Sequence, residues 1–167
     1  MAIDHIELLF DNMAQRLSLR LKDKNREEIF MIGIHTGGVW VAERLHALLG
    51  LTTPLGKLDI AFYRDDFSRI GLHPHVKPSD LPYTVDNKHI ILVDDVLHSG
   101  RTIRAALNEI FDYGRPASVK LAVLVERTGR ELPIQADVIG CSVCLDANKY
   151  IKLSGPPPLS LEIRSNV

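Results

Sequence analysis

Long apolar runs are missing from this chain. The longest, Ile90-Ile91-Leu92-Val93 and Leu121-Ala122-Val123-Leu124-Val125, fall far short of the roughly 20 residues that cross a bilayer. Net charge is nearly absent as well, with 20 Lys and Arg against 21 Asp and Glu. No overall field therefore draws nucleic acid or an anionic membrane, and any such contact must come from a local patch. Cysteine is scarce: Cys141 and Cys144 form one C-x-x-C with no second pair and no His nearby. That is half the donor set of a structural zinc site, so both are expected as reduced thiols in or beside a late strand. Glycine and proline, 11 and 9 of 167 residues, are too few for a fibrous or low-complexity chain. With 46% apolar and 25% charged residues, the composition is that of one ordinary globular domain. The opening MAIDHIELLFD carries Asp4, Glu7 and Asp11 where a secretory leader would be basic, and predicts a cytoplasmic protein.

Apolar periodicity supplies the elements. Ile6, Leu9, Phe10, Met13, Leu17 and Leu21 recur at three- and four-residue steps, predicting a helix from Ile6 to about Lys24. Arg16, Arg20 and Lys24 fall on one side of that helix, where they either meet phosphates or form a solvated face; the solvated face is favoured. Ile29 to Ile34 reads as a buried strand, followed by the turn His35-Thr36-Gly37-Gly38 and a helix that Gly50 stops. Leu58, Ile60 and Phe62 alternate as a second strand, and Arg64 to Asp86 is a polar, Pro-containing loop without period. A loop of that length in a compact domain is usually functional, often a lid. A strand from Lys88 to Val93, a helix from Arg101 to Tyr113, a strand from Val119 to Val125, and short strands near Val138-Ile139 and Tyr150 to Leu153 complete the pattern. Strands alternating with helices predict a three-layer α/β domain over 1–155, with a mainly parallel central sheet flanked by helices. Ligands of such sheets bind beyond the carboxyl ends of the strands. The Pro-rich tail, 156–167, is expected to fray.

The chemistry concentrates in HIILVDDVLHSGRTIRAAL. A buried strand delivers Asp94 and Asp95 to the sheet edge, and a short loop then opens a helix. Ser99, Gly100, Arg101 and Thr102 stand at that helix N-terminus, where free amides, hydroxyls and the positive dipole end make a phosphate cradle. Adjacent carboxylates beside a phosphate suit sugar hydroxyls or the water shell of a divalent cation. A Walker B reading lacks its partner, because Gly50 to Lys57 does not fit G-x-x-x-x-G-K-[ST]. A receiver domain would carry its acids after the first strand, and no G-x-G-x-x-G loop is present.

ILVDDVLHSGRT closely resembles the phosphoribosyl pyrophosphate signature of type I phosphoribosyltransferases. IGIHTGGVWVAERL, DIAFYRDDFSR, GRPASVKLAVLVER and RELPIQAD are similar to successive blocks of the PyrR family, pyrimidine-operon regulators that are also uracil phosphoribosyltransferases. The likeness runs from the first helix to about Leu153. It implies a type I phosphoribosyltransferase fold with a small hood, opened by Arg64-Asp65-Asp66. It also implies that Asp94 and Asp95 hold the ribose hydroxyls and that Val96, Leu97, Ser99, Gly100, Arg101 and Thr102 wrap the 5′-phosphate. Thr36, Gly37 and Gly38 then belong to the pyrophosphate loop, and Val125, Glu126, Arg127 and Arg130 to a uracil-binding segment running to Leu132. Mg²⁺ is implied as a cofactor held by substrate oxygens near Asp94 and Asp95, not by a protein cage, with Arg64 as a guanidinium for the departing pyrophosphate. The family further suggests a homodimer or larger homo-oligomer.

Three positions depart from the family pattern. Gly37 replaces a basic residue of the pyrophosphate loop. The uracil segment, usually V-D-R-G-H-R-E-L-P, reads Val125-Glu126-Arg127-Thr128-Gly129-Arg130-Glu131-Leu132-Pro133, so its Gly has moved and its His is lost. His98 stands where Tyr is common, and either transfers a proton or fills space in the loop. The expected activity is conversion of uracil and phosphoribosyl pyrophosphate to UMP and pyrophosphate. One alternative is a regulator that binds pyrimidine mRNA leaders and senses uridine nucleotides. The stripe Arg16, Arg20, Lys24 is its main support, perturbed by residues such as Leu19, and RNA binding is expected to be weak. The other is a purine phosphoribosyltransferase, which shares the signature but not the RELPI and GRP blocks.

Overall fold

The computed structural model describes residues 3, 5–60 and 79–166. Five strands form the central sheet: β1 (Ile29–Ile34), β2 (Gly56–Leu58), β3 (His89–Leu97), β4 (Ser118–Arg127) and β5 (Val138–Val143). Their order is β2-β1-β3-β4-β5 and every adjacent pair is parallel. Parallel neighbours need crossovers, which α2 (Gly37–Leu49) supplies after β1 and α3 (Arg101–Tyr113) after β3.

The strands read as unbroken apolar runs because both faces are covered. Met31, Ile91, Val93, Ala122 and Leu124 point to one side, where they pack with Phe10, Met13 and Leu17 of α1 (Ile6–Leu21) and Val41, Ala42 and Leu45 of α2. Ile32, Ile34, Ile90, Leu92, Leu121 and Val123 point to the other, against Ile103, Ala106 and Ile110 of α3. The alternation within each strand assigns successive residues to opposite cores. The three-layer, mainly parallel architecture expected from the sequence is the one observed.

Four local expectations are corrected. β3 does not stop at Val93 but runs to Leu97, because β4 is long enough to continue the ladder, pairing Asp94 with Val123 and Leu97 with Glu126. α2 starts at Gly37, so Gly37 and Gly38 form its first turn. β2 lies earlier than Leu58 to Phe62: Gly56 pairs with Ile32 and Leu58 with Ile34. The chain returning at Asp80 bridges Lys57, and Tyr83 donates to the Met31 carbonyl at 3.1 Å. A Cβ on Gly56 would lie 2.5 Å from the Tyr83 hydroxyl and 2.8 Å from a Leu81 methyl, so a larger residue in β2 would have to push these side chains aside. Phe62 and Arg64-Asp65-Asp66 lie outside the described residues.

The fourth correction concerns the tail, which does not fray. β6 (Lys149–Ser154) and β7 (Ser160–Ser165) form an antiparallel hairpin in which Leu153 faces Leu161. Gly155-Pro156-Pro157-Pro158 makes the connection, and the alternation of Leu161 and Ile163 with Glu162 and Arg164 is a half-buried strand pattern outweighing the prolines. Leu161 is 2% exposed and joins the α1/α2 core, its carbonyl accepts from Ile3 N at 2.9 Å, and Gly155 lies against Trp40 of α2. Leu161→Ala is therefore expected to destabilise the protein by about 2–4 kcal/mol, against less than about 0.5 kcal/mol for exposed Ser160→Ala, read from chemical denaturation. Equal, small effects would leave the tail outside the cooperative fold.

Candidate active site

The carboxyl ends of β1, β3 and β4 meet at one edge, and the acidic pair sits there. Asp94 is 3% exposed. Its Oδ1 accepts from Asp95 N and Asp95 Oδ1 accepts from Val96 N, each at 2.9 Å. These bonds orient both carboxylates at the end of the strand. The first turn of α2 presses directly against them. A Cβ on Gly37 would lie 2.2 Å from Asp95 Oδ2, and one on Gly38 would lie 2.8 Å from the Val93 carbonyl and 3.0 Å from Asp94. Thr36 occupies the N-cap position without a side-chain cap bond. The turn and the acidic pair, distant in sequence, are thus one surface.

Beyond that surface opens a cavity of about 350 Å³, lined by Asp94, Asp95, Val96, Leu97, His98, Ser99, Gly100 and Thr102, with Ile103 and Ile151. α3 begins at its wall. Gly100 has φ +95° and caps the helix without a side chain, while Ser99 Oγ accepts from Arg101 N at 3.2 Å. The first amides of a 13-residue helix and the Thr102 hydroxyl belong to this wall, a setting for an anion. Arg101 does not line the cavity: its Nε and Nη2 reach Glu131 Oε2, both at 2.9 Å.

A second cavity of about 440 Å³ adjoins the ends of β4 and β5, lined by Glu126, Arg127, Thr128, Gly129, Arg130, Ser142, Val143 and Cys144. Of the expected base-binding segment, Val125 is wholly buried in the core, because the ladder continues past it. Arg127, 9% exposed, donates to the Lys149 carbonyl at 2.9 Å, and its Nε is buried without a partner. Arg130 spends its guanidinium on protein groups: Nε reaches the Ile134 carbonyl at 2.8 Å, Nη1 the His98 carbonyl, and Nη2 Glu126 Oε1 at 2.5 Å. His98 lines the first cavity and lies against Gly129 of the second, so it stands where the two meet. Cys141 lies on β5, where burial pushes its thiol pKa up and disfavours the nucleophilic thiolate.

The cationic stripe of the first helix is not one face. Arg16 donates to the Ile139 carbonyl at 2.8 Å, and Arg20 pairs with Asp137 at 3.9 Å. α1 ends at Leu21, so Lys24 falls beyond the helix, beside a small hollow shared with Lys22 and Arg26. Residues that the sequence did not assign to the site also enter it. Ile151 reaches the first cavity only because the β6/β7 hairpin packs on α2, and Ser142 and Cys144 reach the second because β5 pairs with β4. No local motif marks Ile151 or Ser142, and the C-x-x-C that contains Cys144 does not by itself point to this cavity.

The phosphoribosyl transferase domain model matches residues 2–155. Among curated relatives, "Bifunctional protein PyrR" of Nitrosococcus oceani is 62% identical over 162 residues, covering 96% of this chain and 92% of the relative. A protein of the same name from Pseudomonas fluorescens is 52% identical, with 98% of each chain covered. Among solved structures, a hypoxanthine phosphoribosyl transferase of Trypanosoma cruzi superimposes with a TM-score of 0.69 at 21% identity, over 86% of this chain and 76% of that one. A hypoxanthine-guanine phosphoribosyltransferase of Bacillus anthracis gives 0.68 at 19%, over 86% and 83%. At such identities the structures speak for the fold alone, which is that of the type I phosphoribosyltransferases.

The contact between Gly37 and Asp95 has a measurable signature. Gly37→Ala is expected to cost about 1–3 kcal/mol, the range for forcing an extra methyl into packed surroundings. Most of that cost should vanish in an Asp95→Ala background, because the obstructing atoms are chiefly the carboxylate. Additive effects in the double-mutant cycle, read from denaturation midpoints, would show that the two residues do not press on each other.

Proposed function

Because the chain belongs to the phosphoribosyl transferase domain family and, within it, to the PyrR proteins, we propose that it transfers the phosphoribosyl group of phosphoribosyl pyrophosphate to uracil, giving UMP and pyrophosphate, and serves as a pyrimidine-operon regulator. The observation that carries this reading is the first cavity, where an acidic pair on a strand end and a helix N-terminus line one space. A strongly anionic sugar phosphate needs both: amides for its phosphate and acceptors for its hydroxyls. The purine alternative draws no support from the purine-specific structural neighbours, whose likeness is one of fold.

In this reading the 5′-phosphate lies on Ser99, Gly100 and Thr102, with Val96 and Leu97 as the floor of the loop, and Asp94 and Asp95 accept from the ribose hydroxyls. A ring nitrogen of uracil attacks the anomeric carbon, the bond to pyrophosphate breaks, and negative charge collects on the leaving group. The amides of the Thr36-Gly37-Gly38 turn face that charge, a fixed dipole array where the family carries a side-chain cation. Arg64, outside the described residues, is the proposed guanidinium for the same charge. Glu126 and Arg127 line the base-side cavity, and Val125 contributes backbone alone. His98, at the junction of the cavities, is placed to accept the proton that the nitrogen loses.

The donor set fits magnesium. Among the described residues no three His, Cys, Asp or Glu converge as a cage, whereas the hard oxygens of Asp94 and Asp95 suit an ion that keeps waters and substrate oxygens. Bound there, Mg²⁺ would neutralise charge on the leaving group. No described helix is long and apolar enough to cross a membrane; a cytoplasmic enzyme of one domain that includes the β6/β7 hairpin, assembled as a homodimer or higher homo-oligomer, completes the proposal.

Purified protein supplied with Mg²⁺, phosphoribosyl pyrophosphate and each nucleobase should form UMP from uracil and little product from hypoxanthine or guanine. Asp94→Asn and Asp95→Asn should each lower the rate by about 10²-fold or more, the scale of one lost transition-state interaction, while still melting cooperatively. Loss of cooperative melting in both would assign the acids to the fold. For regulation the proposed partner is the pyrimidine mRNA leader. Since Arg16 and Arg20 are held by β5 and its approach, the triple Ala variant at Arg16, Arg20 and Lys24 should change the slope of log affinity against log salt by well under the roughly 2 that three phosphate contacts would give. A change of the full size would place the RNA on α1.

A further inference from the structure

The loop that opens α3 is held from outside by residues 128–132, and the pattern of bonds has a direction. Ser99 O accepts from both Glu131 N and Leu132 N, each at 3.0 Å. His98 O accepts from Arg130 Nη1. Two successive carbonyls of the loop are therefore drawn toward this strap. In a planar trans peptide the carbonyl and the following N–H point opposite ways, and neither bond is among the cis peptides of the chain. Drawing His98 O and Ser99 O outward turns the N–H groups of Ser99 and Gly100 inward, to the cavity that both residues line. Successive amides aimed into one concavity form an anion nest. Gly100 at φ +95° accommodates that turn without a Cβ penalty.

Arg130 is the centre of the strap. Its three nitrogens join the Ile134 carbonyl, the His98 carbonyl and Glu126, so one planar fork ties the end of β4, the cradle and the segment after the strap. Gly129, at φ +109°, makes room for the His98 ring, whose Nε2 would lie 2.6 Å from any Cβ there. The position that carries His in the family pattern is glycine here, and a histidine projects instead from the opposing loop.

Resting on the phosphoribosyltransferase reading, we infer that Arg130 is a positioning residue for the 5′-phosphate: it touches no substrate, and it sets the cradle amides by holding the His98 carbonyl. Arg130 thereby acts on the phosphate half of the substrate, although it lies in the segment assigned to the base.

The test measures ribose 5-phosphate binding by calorimetry, together with separate KM values for phosphoribosyl pyrophosphate and uracil, in wild type, Arg130→Ala and Arg130→Lys. Both variants should weaken ribose 5-phosphate by at least tenfold and raise the phosphoribosyl pyrophosphate KM similarly, with the uracil KM within twofold of wild type. Arg130→Lys keeps the charge beside Glu126 but cannot bond all three acceptors, so it answers the question even if Arg130→Ala fails to fold. A raised uracil KM with intact ribose 5-phosphate binding would make Arg130 a base contact and overturn the inference. A lowered Tm with both constants unchanged would reduce it to a fold contact, and wild-type-like phosphate binding by Arg130→Lys would show that charge alone suffices. Failure of the wild type to bind ribose 5-phosphate would remove the cradle and the strap together. If ribose 5-phosphate binds in an Arg130-dependent way but no uracil is converted, the strap stands and the uracil reading falls.

Discussion

The site depends on one close approach, that of the first turn of α2 to the acidic end of β3. Adjacent parallel strands end side by side, so the turn after β1 and the acids on β3 are brought together by ladder geometry alone. How near they come is decided by missing side chains. Gly38 lies under the Val93 carbonyl and Gly37 under Asp95 Oδ2, at distances where no Cβ fits. The backbone of the turn and the acidic pair thereby share one surface, and the carboxylates are held by their neighbours' amides. The departure from the family at position 37, a lost cation when read from sequence, is in three dimensions a close contact with the Asp95 carboxylate, which a larger residue would have to displace.

A second constraint shapes the phosphate side. Ordinary helix N-termini are capped by a side chain that takes up the free amides; α3 has Gly100 at that position and no such bond. The loop's stiffness comes instead from bonds to its carbonyls, supplied by the segment after β4. In that division the carbonyls secure the shape, and of the first amides Arg101 N is taken up by Ser99 Oγ. The exposed pair Arg101–Glu131, each side chain about half exposed, contributes little energy by itself. Its geometry fastens the first residue of α3 to the same strap.

Much of this was legible in sequence because it is local. The limits of α3, Arg101 to Tyr113, and of β1 came directly from periodicity and punctuation, and the acidic pair followed by a hydroxyl-glycine loop marked the cavity. The failures have physical causes of another kind. Charged Asp94 and Asp95 look like a strand's end, which sets the expected end of β3 four residues short, yet the ten-residue partner strand β4 carries the ladder through them. Three prolines suggested a frayed tail, while the alternation after them was enough to build β7 once Leu161 found the α1/α2 core. Three cations at four-residue steps suggested one face, but α1 ends before Lys24, and the two arginines are occupied by a strand edge far along the chain.

The amino-acid sequence by itself determined the parallel α/β class, the order of strands and helices as far as β6, and the chemistry available at the strand ends, since these follow from apolar period, glycine placement and a motif within a dozen residues. Only the tertiary structure decided which side chains face a ligand and which are consumed by the protein. Arg101, Arg127 and Arg130 look alike as cations in a sequence. Folding gives them Glu131, the Lys149 carbonyl, and a fork of three acceptors, because a guanidinium near a sheet edge goes to whatever carbonyls and carboxylates the packing of distant segments brings within reach.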